Sequence, residues 1–433
     1  MADLRLEPKT TEQKKNRIKF GVASLLYNGD EAAFSPLHTA VIRALGGGDV
    51  HLGFMGAMIQ SVGQLFAWIG TLILKATQMH RKALIIALFV ASVFQGLIVA
   101  TLLVGHANPA LSSILLFVYI GSVALMGMLT GSQQNIAVSW IGELVPTRQR
   151  GWFVSGMAII SNIGLVLLQL LFARLARDAG LPGYAMIMGI VMLNTLVACF
   201  LVATITDCPA KAVNFISKRH GDRVDYGFKP LWGLIWFECA WRSGRVALVA
   251  FSTAYLLDHF GLRMDRIIMI HMIVNLVNIV MLFLMGHLSD RIGIFRPLAF
   301  ITAICATSML LWVSSAWWGL LPIIAYQVIN GAAGSTHWML VNNLSLELYP
   351  SKGRPNYLSF SRIVTGIFVI FISTFAGWVL SQLRGWEIEL WGAAFTHYHI
   401  FFLGCTLATL TSLLPLFLLR LAKPSIDEDA EAA

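Results

Sequence analysis

The feature that most constrains this chain is a succession of apolar runs, each about 20 residues long, separated by short polar breaks from residue 19 to residue 421. A helix of about 20 residues rises ~30 Å, the thickness of the hydrocarbon core of a bilayer. Inside lipid the backbone must satisfy its own hydrogen bonds, and a helix does so. The expected fold class is therefore all-α integral membrane, with twelve transmembrane helices at 19–44, 52–75, 83–106, 112–142, 152–175, 183–206, 231–257, 266–286, 298–318, 319–346, 357–383 and 396–421. Composition agrees: only 12% of residues are charged, about half the share in an ordinary soluble domain. That leaves no room for a soluble catalytic domain. The first run is too long and too polar for a cleaved signal peptide, so it is read as a retained span.

A net charge of +9 could suggest a nucleic-acid partner in a soluble protein, but here the basic residues sit at the ends of spans. With the N-terminus inside, 22 of the 31 Lys and Arg residues fall in inside segments and six in outside segments. This bias places both termini in the cytoplasm of a multi-pass protein of the cytoplasmic (inner) membrane. No nucleic acid is expected. The five cysteines are scattered singly, without metal-ligand spacing, so neither disulfide nor metal is expected. The sequence has no His-Glu-x-x-His, Gly-x-Ser-x-Gly or P-loop motif; no catalytic residue, cofactor or enzyme activity is expected, and the protein is read as a monomer in the bilayer.

The longest polar break, Asp207 to Pro230, divides the chain into a cytoplasmic tail (1–18), an N-terminal six-helix bundle (19–206), a middle loop (207–230), a C-terminal six-helix bundle (231–421) and an acidic tail (422–433). A repeat supports this division. Glu143-Leu-Val-Pro-Thr-Arg-Gln-Arg150-Gly-Trp-Phe-Val-Ser155 after the fourth span corresponds to Glu347-Leu-Tyr-Pro-Ser-Lys-Gly-Arg354-Pro-Asn-Tyr-Leu-Ser359 after the tenth. Repeated halves in a twelve-span chain are a mark of transporters that rock two bundles around a central site.

With these loops the chain resembles the major facilitator superfamily over nearly its whole length, and its sparsely characterised bacterial members in particular. Gly286-His-Leu-Ser-Asp290-Arg291-Ile-Gly293 is similar to the family's Gly…Asp-Arg…Gly loop motif, and the Glu-Leu-x-Pro…Arg pair and the six-plus-six topology complete the resemblance. It implies a cytoplasmic gate made of Asp290, Arg291, Glu143, Arg150, Glu347 and Arg354. The equivalent first-half loop, Gly70 to Lys82, has no aspartate. The family's antiporter and sugar-porter signatures are missing too, which leaves the solute open.

An ionisable side chain at mid-bilayer costs about 2.5–3.5 kcal/mol on insertion scales, so those retained should face a partner or a watered cavity. In the first span Asn28, Glu31, Ser35 and His38 share one helical face, with Asp30 on the adjoining face. In the seventh, Glu238, Arg242 and Arg245 form a stripe edged by Trp241. Sliding the halves over one another sets Glu31 against Arg242. The fourth span offers Gln133 and Trp140, and the tenth offers Asn330, His337 and Trp338; the resemblance implies that the first, fourth, seventh and tenth spans line the cavity. Pro36 and Gly29 can bend the first span beside Glu31.

The expected function is secondary active transport of a small polar organic solute, sugar-like or another metabolite, by alternating access. Asn28, Gln133, Trp140, Glu238, Trp241, Arg245, Asn330, His337 and Trp338 would bind the solute, and Asp30, Glu31 and Arg242 would couple it to protons. Export of amphipathic compounds and uncoupled uniport stay open, as do a membrane receptor and an intramembrane enzyme.

Overall fold

The computed structural model describes residues 11–32, 34–144, 150–177, 180–206, 224–292, 294–349 and 354–419. Among these residues, helical runs occupy each of the twelve positions read from the sequence. The first span is Thr11–Tyr27, a 3-10 segment Asn28–Ala32, and Phe34–Ala44. The second is Asp49–Ala57, a π segment Met58–Val62 and Gly63–Leu65, then a 45° bend into Trp68–Thr77. The third to sixth are His80–Ala107, Ser112–Leu144, Arg150–Leu175 and Gly180–Ala203. The seventh and eighth are Lys229–Asp258 and Met264–Ile292, and the ninth is Phe295–Ser308 with Leu310–Trp318. The tenth, eleventh and twelfth are Leu321–Leu348, Arg354–Gln382 and His397–Leu419.

Among the described residues, eight single helices are long and apolar enough to cross a bilayer, and the bent second span makes a ninth. The other three are the first, seventh and tenth spans, which are broken or interrupted by polar residues. Helices that tolerate polar groups at membrane depth are those that face protein or a watered cavity rather than lipid.

The break in the first span has a local cause. Pro36 has no N–H to give the carbonyl of Ala32, and its ring crowds that carbonyl. The chain tightens into the 3-10 segment Asn28–Ala32, so Asp30 and Glu31 sit on 3-10 rather than α-helical backbone.

The third span packs on the fourth and sixth, and the first on the sixth; the seventh packs on the eleventh and twelfth, and the tenth on the eighth and ninth. These two sets of six meet along two seams, the second span against the eleventh and the fifth against the eighth, with Phe34–Ala44 against the seventh. Glycine permits the closest approach: a Cβ on Gly53 would lie 2.5 Å from the carbonyl oxygen of Ser373, and one on Gly377 2.7 Å from that of Asp49.

The apolar core is not uniform along the bilayer normal. On the side where the first span begins, here the terminal side, the halves have separate cores: Phe20, Leu88 and Trp140 belong to one, and Leu234, Phe237 and Leu344 to the other. On the opposite, far side a single cluster joins Leu37, Val41 and Phe172 of the first half to Phe251, Tyr255 and Phe402 of the second.

One element is absent from the purely helical expectation. On the far side, Glu387–Leu390 pairs antiparallel with Ala393–Thr396, around Trp391 and Gly392 at φ 50° and 77°, the positive values that a two-residue hairpin turn demands.

Candidate functional site

Ser24, Asn28 and Glu31 follow one another at four and three residues, so they share a face of the first span where it gives way to the 3-10 segment. That face lines an open cavity of about 330 Å³ with Ser161 and Asn162 of the fifth span and Asn275 and Asn278 of the eighth. Its lining comes from the terminal half of the fifth span and from the middle of the eighth, so it lies toward the terminal side. Glu31 is exposed within it, and among the described residues no cation lies within ion-pair distance of it. Asn28 donates to Ser24 Oγ at 3.4 Å.

Amides tie the fifth and eighth spans across the seam. Asn275 Nδ2 donates to Gln169 Oε1 at 3.0 Å, and Asn278 Nδ2 to Asn162 Oδ1 at 3.3 Å. Such bonds between neutral groups hold helices together at modest strength and can be exchanged for water.

The far side is closed. Arg43 Nη2 lies 2.6 Å from Asp49 Oδ1 and 2.7 Å from Asp258 Oδ2, and the Tyr398 hydroxyl donates to the same Asp258 oxygen at 2.8 Å. One guanidinium thus links the first and second spans to the seventh, and through Asp258 to the twelfth. Beneath it, Ser373 Oγ donates to the Gly53 carbonyl at 2.8 Å. The space left among His38, Gln60 and Ala250 is about 30 Å³, room for about one water. In the sequence Arg43, Asp49 and Asp258 look like ordinary charges at span ends; only the fold brings the three together.

In the second half the seventh span carries a charged stripe. Arg242 Nε lies 3.0 Å from Glu238 Oε2, one turn away on the same helix, so in this state the predicted pairing of Arg242 with Glu31 is not made. One further turn along, the Arg245 guanidinium sits over the Trp241 ring at 5.3 Å. Trp241 stacks on His337 of the tenth span at 3.8 Å between centroids and 15° between planes. Gly334 makes room for the guanidinium, since a Cβ there would lie 3.1 Å from Arg245 Nη2. Asn330 is half-buried one turn away on the same span.

Two expected cavity residues lie elsewhere. Gln133 is buried and donates to the Ala87 carbonyl at 3.2 Å. Trp140 is 1% exposed, edge-on to Phe20 at 5.3 Å and stacked with His80 at 6.3 Å. Both face the interior of the first six helices, because this face of the fourth span turns toward the third. The side chains of Asp30, Ser35, Trp338, Glu143, Arg150, Asp290, Arg291 and Arg354 lie outside the described residues. The backbone from Gly286 to Ile292 continues the eighth helix, and Glu347 is exposed near the end of the tenth. His399 of the twelfth span bonds across to the seventh, its Nε2 2.8 Å from the Tyr255 hydroxyl.

The family model described as Major Facilitator Superfamily matches residues 239–432. Among curated proteins, none matches. Solved structures similar in fold include the inward-open xylose transporter XylE from E. coli, at 15% identity and TM-score 0.67 over 92% of this chain and 94% of that one. A D-xylose-proton symporter is similar at 16% identity and TM-score 0.69 over 94% and 97%. The nucleoside transporter NupG is similar at 11% identity and TM-score 0.64 over 95% and 99%. The sequence match over the second half, the fold match over the whole chain and the polar cavity between two six-helix sets agree: the chain is a multi-pass membrane protein with the major facilitator superfamily fold, and its residues 239–432 match that family's model.

Proposed function

We propose that this protein is a secondary active transporter that carries a small polar organic solute across the cytoplasmic membrane by alternating access, coupled to protons through Glu31 or Asp30. One observation carries the reading. The apolar core is continuous between the halves on the far side and split on the terminal side, and the polar cavity opens into the split. The positive bias of the terminal-side segments makes that side the cytoplasm.

In this state Glu31 faces water and Arg242 is held by Glu238. When the far side opens, the first and seventh spans shift against one another, and Arg242 is the cation placed to exchange Glu238 for Glu31. A carboxylate gains a proton more readily in a dry site and loses it as a cation approaches. That exchange links protonation to the position of the halves. Asn28 on the first span and Glu238, Trp241, Arg245, Asn330 and His337 on the seventh and tenth supply the solute contacts. Asp290, Arg291, Glu143, Arg150, Glu347 and Arg354 form the terminal-side gate that replaces the Arg43 seal in the opposite state. The xylose–proton symporter and nucleoside transporter among the similar folds are consistent with a polar solute.

The test is uptake into proteoliposomes of a solute chosen by a thermal-shift screen of sugars, amino acids, nucleosides and organic acids. Accumulation above equilibrium is expected only with an imposed pH gradient, and Glu31→Gln combined with Asp30→Asn should leave equilibration but remove accumulation. Gradient-independent uptake that the double variant leaves unchanged would make the protein a uniporter.

A further inference from the structure

The arginines of the seventh span are provided for unequally. Arg242 has Glu238 at 3.0 Å. Arg245, near the middle of the same helix, has no carboxylate within ion-pair distance among the described residues. Its neighbours are the face of Trp241 at 5.3 Å, the Cys305 thiol and the backbone of Gly334. None of these cancels a positive charge, and an uncompensated charge at that depth is costly.

A second polar group nearby is also left open. His337 is 5% exposed and its Nε2 is buried without a hydrogen-bond partner, although the same ring is held firmly by stacking on Trp241 at 3.8 Å and on Phe237 at 5.9 Å. A buried nitrogen without a partner forfeits the hydrogen bond it makes to water. The two deficits adjoin one indole: a cation that lacks an anion, and a fixed imidazole nitrogen that lacks an oxygen.

We infer that the solute is a small organic carboxylate, and that Arg245, Trp241 and His337 form its binding site. This rests on the transport reading above and narrows it. The carboxylate supplies the counter-charge that the protein withholds from Arg245. The Trp241 ring carries the guanidinium on its face and holds the imidazole, and His337 in its Nε2–H tautomer donates to a carboxylate oxygen. A neutral sugar leaves the charge of Arg245 uncancelled, which is the reason to prefer an acid.

The experiment is thermal unfolding of the purified full-length protein in detergent with acid and amide partners of matched shape: lactate and lactamide, benzoate and benzamide, nicotinate and nicotinamide. Without additive, Arg245→Gln should unfold at or above the wild-type midpoint, because it removes an uncompensated cation, whereas Arg242→Gln should unfold below it, because it orphans Glu238. At least one acid should stabilise the wild type where its amide does not. Arg245→Gln should weaken that acid about ten- to a hundredfold, the loss of one charge-assisted contact, and Arg245→Lys should restore part of it.

The inference is overturned if no acid outperforms its amide, if Arg245→Gln keeps the acid response, or if Arg245→Gln lowers the additive-free midpoint as far as Arg242→Gln does. Vesicle uptake separates this inference from the reading it rests on. Uptake of a neutral solute that Arg245→Gln leaves unaffected removes the carboxylate site and keeps transport; acid-specific stabilisation without uptake of that acid removes transport and keeps the site.

Discussion

At the scale of single residues, membrane-buried charge is handled here in two ways. Glu238 and Arg242 neutralise one another along one helix, so each single substitution leaves its partner unpaired. Because both side chains keep about a fifth of their surface, the cost of Glu238→Gln or Arg242→Gln is put at about 1 kcal/mol. The double variant should recover part of it, as a double-mutant cycle of unfolding midpoints would reveal. Arg43 works across elements, and its first acid, Asp49, is 4% exposed. Residue types and spacing made Asn28, Glu31, Glu238, Arg242, Arg245 and His337 legible as polar groups at membrane depth. Which way a face turns was not legible. Gln133 and Trp140 have the same helical spacing as true cavity residues, but they point at the third span, and only packing decides that. The partner of Arg242 likewise depended on a one-turn contact that competes with the predicted contact across the halves.

At the scale of elements, the first span shows how a short sequence signal sets up a site. Pro36 ends the helical bonding that would bury the carbonyls around Glu31, and the 3-10 segment Asn28–Ala32 follows. Pro36→Ala should let the helix run on, turn Glu31 out of its present position, and cut uptake in vesicles at least about tenfold with helix content by circular dichroism unchanged; unchanged uptake would mean that the break is not used. The second and eleventh spans give a second test. A leucine at Gly53 meets the Ser373 carbonyl, so Gly53→Leu should hold the far side apart, raising the reactivity of a cysteine placed at Gln60 toward an impermeant maleimide. The span positions were legible because bilayer thickness fixes their length. The π segment of the second span and the hairpin at Glu387–Thr396 were not, since the one depends on close packing of Gly63 and Gly131 and the other is too short to leave a period.

At the scale of the whole molecule, the arrangement amounts to a reciprocal seal. The far side is closed by Arg43, Asp49, Asp258 and Tyr398 above a shared apolar core, and the terminal side is open onto Glu31. Alternating access requires that loosening one end close the other; a channel or a merely weakened protein would open one end without consequence for the other. The decisive measurement is cysteine labelling by an impermeant maleimide from each face in turn, in a background without the five native cysteines. Ala250→Cys reports the far-side seal and Ser161→Cys the terminal-side cavity. With Arg43 intact, Ser161→Cys should label from the terminal side and Ala250→Cys should resist labelling from the far side. Adding Arg43→Gln should raise labelling at Ala250→Cys and lower it at Ser161→Cys. Labelling that rises at both positions, or at Ala250→Cys alone, would contradict alternating access.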